Sequence, residues 1–211
     1  MAVTAADSIQ GTYSPSKSYR SLLSILMINA ALIALWSSGL APGLSAEDGI
    51  LEMLQLLLAA GAFSVFMFAA LQDDGPIGSA GTATAAIAAI AIVREIDVRK
   101  MVVPDWMMIW ANSPFRDTTV AILLVLVLGY VWLRRDHFRG WLELLLRRAA
   151  WPFWLGGMLL ASSLVFDGGK IISGEAGVLV EEFIEFNGFM LLLVAGWRHC
   201  QLLTSERQRE L

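Results

Sequence analysis

Six long apolar runs, separated by short polar segments, set the pattern of the chain: about 20–41, 49–71, 78–96, 118–135, 150–167 and 177–198. A bilayer core of about 30 Å takes about 20 mainly apolar residues of helix. The pattern therefore predicts an all-α integral membrane protein, a bundle of about six transmembrane helices. The third run, "SAGTATAAIAAIAIV", is rich in small residues and only moderately hydrophobic. It suits a helix packed tightly against others, because Gly and Ala let backbones approach closely.

The polar segments divide the chain into a flexible lead-in over 1–18, a membrane domain over 19–200 and a short tail over 201–211. Leu44-Ser45-Ala46 resembles a weak signal-peptidase site, but the polar stretch before the first apolar run is too long for an n-region, so that run is expected to be retained. Between the third and fourth spans, "MVVPDWMMIWANSPFRD" (101–117) sets Pro104 and Pro114 around an aromatic, Met-rich patch. It is too short to span and too apolar for water, which predicts an outer interfacial or re-entrant helix. "DHFRGWLELLLRRAAW" (136–151) sets Trp141 and Leu144 to Leu146 against Arg139, Glu143, Arg147 and Arg148. That is the pattern of a basic amphipathic helix on an anionic leaflet, or of a neighbouring span continued into the headgroups.

Composition supports the class and basic residues choose an orientation. The 211 residues are 57% hydrophobic and 16% charged, with a mean hydropathy of +0.64, too apolar for an ordinary soluble domain. With the N-terminus inside, ten of the 15 Lys and Arg residues fall on the cytoplasmic side, so both termini are expected there. Trp36, Trp106 and Trp110 then lie near the outer boundary, and Trp132, Trp141, Trp151, Trp154 and Trp197 near the inner one, as interfacial belts. The net charge of −4 and the scattered basic residues exclude a nucleic-acid partner. Cys200 is the only cysteine, which removes any intrachain disulfide or thiolate metal cluster.

In this frame the acidic residues collect at the outer ends of the spans. Asp48, Glu52 and Gln55 are spaced i, i+4, i+7 and form one polar stripe entering the second span. Arg94, Glu95 and Asp97 close the third, with Arg94 and Asp97 sharing a face. Glu181, Glu182 and Glu185 open the sixth, Glu181 and Glu185 being i, i+4 with Gly188 continuing the face. These nine residues form the expected ion-pair or ligand cluster, with Arg94 the obvious partner for the deeper carboxylates. One arginine cannot neutralise Glu52, Glu95, Glu181 and Glu185 together, so some are protonated, or a cation shares the site, or the site is a water-filled vestibule. Acids at helix entries also cap helices and favour the dipole. That reading suits Glu47, Asp48 and Glu175 at the mouth better than Glu52 and Glu185 deeper in.

Other chemistry is sparse. "SAEDGIL" (45–51) and "SGEAGVL" (173–179) echo each other, but the alignment does not superpose Glu52 on Glu181 or Glu185, and chance similarity of two loops explains it. His137 and His199 have no metal-ligand spacing, and hydrolase elbows, P-loops and dinucleotide fingerprints are missing. No cofactor is identified. An all-carboxylate site from Glu52, Glu181, Glu182 and Glu185 would suit Ca²⁺, Mg²⁺ or Mn²⁺.

The segments "EDGILE" (47–52), "VREID" (93–97) and "VEEFIEF" (180–186) resemble those of uncharacterised bacterial multi-pass inner-membrane proteins. The resemblance implies a bacterial inner-membrane location and brings no activity with it. The expected partners are the lipid bilayer and other membrane proteins. Three functions compete: an accessory or scaffold subunit of a larger membrane complex, docking through its small-residue span; a transporter or cation- or proton-binding protein using the outer carboxylates; and a membrane-embedded lipid-modifying enzyme with a carboxylate as general acid or base.

Overall fold

A computed structural model describes residues 15–40, 49–95, 113–166 and 175–210. Among them are seven α-helices, α1 (Pro15–Ser37), α2 (Ile50–Gln72), α3 (Pro76–Glu95), α4 (Ser113–Leu133), α5 (Phe138–Leu146), α6 (Trp151–Phe166) and α7 (Glu175–Glu210). Single 3₁₀ turns, Arg135–His137 and Arg148–Ala150, flank α5. Among the described residues there is no strand.

Prolines mark where several helices begin. Pro15 and Pro76 are the first residues of α1 and α3, and Pro114 and Pro152 the second residues of α4 and α6. A missing N–H costs nothing in a first turn, and the fixed φ suits a helix. The α2–α3 connection is equally local: the Asp73 side chain accepts the Gly78 N–H at 2.7 Å and satisfies a donor the first turn of α3 leaves over.

The described residues up to Leu40 form one compact unit and those from Gly49 onward another. In the second unit α7 packs against α2 and α6, α2 packs against α3, and α3 carries α4 and α5. Periodicity explains the central contacts. Leu51, Gln55, Ala59, Ala62, Phe66 and Ala69 are the buried residues of α2, one stripe at the helical repeat. Ala59 and Ala62 meet Phe189 and Leu192 of α7, while Phe66 packs with Ala85 of α3 and Ala195 of α7. Small residues thus face large ones. The small-residue span is used inside the bundle, since the backbone of α3 at Gly81 lies so near α2 that a Cβ there would be 2.9 Å from the Phe66 carbonyl oxygen.

Among the described residues, three helices can cross a membrane by length and composition: Ile50–Gln72, Pro76–Arg94 and Phe115–Leu133. The helix at the first expected span, α1, starts and ends earlier than its apolar run. α1 stops at Ser37 because Gly39 takes a left-handed φ of 71° and turns the chain. α4 starts at Ser113, so the last five residues of the expected interfacial segment belong to it, and 101–112 lie outside the described residues. α5 is a separate helix and not a continuation of a span, because the 3₁₀ turns break the ladder on both sides. The described part of α6 has 16 residues, about 24 Å at 1.5 Å each. α7 has 36 residues and continues through the expected tail. At about 54 Å it outruns a bilayer core of about 30 Å.

The α6–α7 crossing depends on glycine. A Cβ on Gly156 would stand 2.9 Å from the Gly188 carbonyl oxygen, and one on Gly188 would stand 2.6 Å from Leu160 Cγ, whereas nothing lies within 4 Å of a Cβ on Gly157. Gly156→Ala is expected to lower stability in detergent by about 1–3 kcal/mol through overpacking. Gly157→Ala, one residue away, should be neutral or slightly stabilising. Thermal unfolding of the two variants checks this, and equal behaviour would refute the close crossing.

Candidate functional site

Glu185 lies on the buried face of α7, in register with Phe186 and Phe189. Its side chain is 6% exposed, and Oε1 accepts a 2.9 Å hydrogen bond from Arg94 Nη2. Arg94 closes the last turn of α3, where a cation also complements the helix dipole. Its side chain is 39% exposed, so the guanidinium reaches in from the edge of the bundle. From α6, Ser163 Oγ stands 2.9 Å from the same Oε1 and 2.9 Å from the Leu160 carbonyl oxygen. One hydroxyl proton serves one acceptor at a time, and an ionised carboxylate is the stronger one. Three helices therefore meet at a single carboxylate oxygen.

One turn away, Glu182 reaches α2. Gln55 Nε2 donates to Glu182 Oε2 at 2.6 Å and to the Glu182 backbone carbonyl at 2.9 Å. Two acceptors on one side fix the orientation of the amide. Gln55 Oε1 is then buried with no hydrogen-bond partner, which costs about 1–3 kcal/mol where no water or ligand supplies a donor.

The expected cluster is thus reorganised. Arg94 and Glu185 come together as anticipated, and Gln55 joins Glu182. On α7 the contacts to Gln55 and Arg94 run through Glu182 and Glu185, three apart, where the spacing had put Glu181 and Glu185 on one face. Glu52 and Glu181 are half-buried, Glu52 lying one position off the buried stripe of α2. The backbone of Glu95 is helical, but its side chain, like Asp48 and Asp97, lies outside the described residues. Among the described residues, no three His, Cys, Asp or Glu side chains are placed to hold a metal. The all-carboxylate metal site therefore does not form there: Glu185 faces a cation and a hydroxyl, and Glu182 an amide.

A second polar cluster, which the sequence did not suggest, joins α3 to α5 at the opposite end of α3. Ser79 Oγ lies 2.8 Å from His137 Nδ1, accepts the Trp141 indole N–H at 2.9 Å, and sits 2.8 Å from the Gly75 carbonyl oxygen. Asp136 stands 3.4 Å from His137 Nε2, favouring the tautomer with its proton there and leaving Nδ1 to accept from Ser79. The order Ser, His, Asp resembles a hydrolytic triad. Ser79 is only 3% exposed and already surrounded by hydrogen-bond partners, so no substrate carbonyl can reach it. The cluster fastens the amphipathic helix to the bundle. Nearby, His199 Nε2 lies 2.7 Å from the Ile77 carbonyl oxygen, which makes it the donor.

Comparison of the chain with family models, with curated proteins and with solved structures finds no match. Function is therefore argued from these side chains alone. Of the residues that matter, Ser163 had a faint signal, two serines interrupting an apolar run in "ASSL". The Ser79 contacts had none, because they join residues about 60 apart.

Two expectations test the site. Arg94→Gln should destabilise by about 3–5 kcal/mol, because it strands a buried carboxylate. Glu185→Gln should cost less, since the half-exposed guanidinium left behind can turn to solvent. The double variant should cost less than the sum, and additive losses in a double-mutant cycle would sink the pairing.

The second concerns pH. Burial lowers the pKa of His199, one residue past the expected sixth span, against opposing pulls from the Ile77 carbonyl and Asp73. The folded imidazole stays neutral while the unfolded one gains a proton near its ordinary value of about 6.5. Stability is therefore complete above that value and falls as pH drops below it toward the lowered folded value. His199→Gln, which keeps an amide donor and does not titrate, should show a shallower fall in melting temperature between pH 7 and 5.

Proposed function

We propose that the chain is an accessory or scaffold subunit of a larger assembly in a bacterial inner membrane. In this reading it crosses as a bundle of about six helices with both termini cytoplasmic, and its charged network lies near the outer face. The observation that carries the reading is the double engagement of Glu185 Oε1 by Arg94 and Ser163. A buried carboxylate held from two neighbouring helices is a joint between helices, its charge spent on association. The surface of α4 fits the same role. No residue is buried in its most apolar window, and Leu124, Val125, Leu126 and Leu128 stand out from the chain, giving lipid or a neighbouring subunit a continuous apolar wall. Docking then falls to α4 and not to the small-residue span, which is consumed inside the bundle.

One observation favours a second reading, a transporter or cation- or proton-binding protein using the same acids. Gln55 Oε1 is a buried acceptor with no protein donor, beside the Glu182 carboxylate. A hydrated proton or an ammonium-bearing solute would supply one.

Gentle extraction of the full chain separates the two. A subunit brings stoichiometric companions with it, and Glu185→Gln should lose them at unchanged expression. Loss of proton-coupled uptake with no companions at any stage would overturn the subunit reading in favour of the second. No change in either property, for both Glu52→Gln and Glu185→Gln, would reduce the acids to helix-end caps and refute both.

A further inference from the structure

Between α5 and the rest of its unit lies a partly open cavity of about 240 Å³. Its walls are drawn from α2 to α7. Phe66, Trp141 and Phe153 are among the lining residues, and Ile87, Val131 and Leu144 add aliphatic surface. An apolar cavity of about 150 Å³ stays dry and takes up benzene, so this one has room for a larger ring system.

The polar residues of the lining are few, and most are engaged. Thr84 Oγ1 donates to the Ala80 carbonyl at 2.9 Å, the Trp141 indole N–H to Ser79 Oγ at 2.9 Å, and Arg198 Nη1 to the Ala149 carbonyl at 3.3 Å. Arg147 is engaged as well. His199, which also lines the cavity, differs from these. Its Nε2 meets the Ile77 carbonyl oxygen at 2.7 Å, and a carbonyl only accepts, so that nitrogen carries the proton. Burial lowers the pKa and keeps the ring neutral, so Nδ1 bears a lone pair. Among the described residues nothing donates to it. Nor is it sealed off: among them Gln55 Oε1 is the only side-chain polar atom both buried and unpartnered, so Nδ1 stays accessible on a ring that lines the cavity.

We propose that this cavity binds one uncharged phenol, an aromatic ring bearing a hydroxyl, with the ring among the aromatic walls and the hydroxyl donating to His199 Nδ1. The walls select the ring, because aromatic pairs gain edge-to-face and offset contacts beyond the burial of area alone. The open nitrogen selects the donor. A bare hydrocarbon would leave Nδ1 unanswered, whereas a hydroxyl satisfies it and is held in one orientation, the part that a few placed polar groups play in apolar pockets. The partial opening lets a ligand dissolved in the bilayer enter, or keep a tail outside. The inference does not depend on whether the chain joins a complex.

The test uses the full chain in phosphatidylcholine nanodiscs at pH 7, dialysed to equilibrium against 2-naphthol or 2-methoxynaphthalene, with empty nanodiscs giving the share taken up by lipid. The two probes have the same fused ring, and only the first can donate a hydrogen bond. 2-Naphthol should bind saturably, one per chain, and about fivefold to tenfold more tightly, the range of one net hydrogen bond. His199→Phe, which keeps an aromatic wall and removes the acceptor, should bring the two probes level. Ala83→Phe, on the cavity wall, should abolish saturable binding of both and leave His199 in place, so the proposal does not hang on one variant's folding. Any of four results would overturn it: equal binding of the probes by the unaltered chain, a preference for the hydroxyl that survives His199→Phe, saturable binding that survives Ala83→Phe, or tighter binding of 2-naphthoate than of 2-naphthol.

Discussion

A carboxylate buried between helices is tolerated only where its charge is answered, and the answer to Glu185 fixes how α3, α6 and α7 stand against one another. Each residue turns a helix by about 100°, so a one-residue slip of α7 would carry Glu185 away from both Arg94 and Ser163. Leu or Phe at that position would pack in several rotations at similar energy. The ion pair accepts only one. Its net contribution to stability is modest, because desolvation of the charge offsets much of the attraction. Its contribution to register is large, because every alternative leaves a bare charge in an apolar setting.

Polar contacts pin the bundle at both ends and small residues close its middle. At one end Arg94, Glu185 and Ser163 are joined, and Gln55 meets Glu182. At the other, Ser79 holds His137 and Trp141, and His199 holds Ile77. Between them Ala59 and Ala62 take the large side chains of α7, and Gly156 meets Gly188. Contacts of this kind suit a membrane, where lipid is as apolar as leucine and association rests on close packing and hydrogen bonds across helices. The amphipathic α5, tied down through Trp141, walls the cavity beside Arg147 and Arg198.

Much of the fold was legible because hydrophobic length and Gly/Pro punctuation are local signals. α2 and α3 fall within two residues of their expected spans for that reason. The expected end of α1 lies too late, although its signal is local as well, the left-handed φ of Gly39. The site was half legible. Spacing put Arg94 on a face and Glu185 at depth, and charge complementarity paired them. The same spacing argument put Glu181 and Glu185 on one face, with Glu182 one position off it. In fact α7 is held from two sides, and residues three apart reach α2 on one flank and α3 with α6 on the other. Ser163 and the Ser79 cluster depend on which helices become neighbours, information that no single segment contains.

The geometry also separates a joint from a transport site by cost. A site that loads and releases a cation must break its resting contacts in each cycle, and opening a buried pair by removing one partner costs about 3–5 kcal/mol. Glu185 carries that burden in full, since Arg94 and Ser163 converge on the same oxygen. Gln55 does not. Its amide is anchored through nitrogen, and its buried oxygen starts without a contact to lose. An occupant would therefore be drawn to the Gln55 oxygen and the neighbouring Glu182 before it could compete for Glu185. The clamp at Glu185 and Glu182, the partner of the Gln55 amide, lie one helical turn apart on α7, and under the proposed subunit role only the clamp is needed.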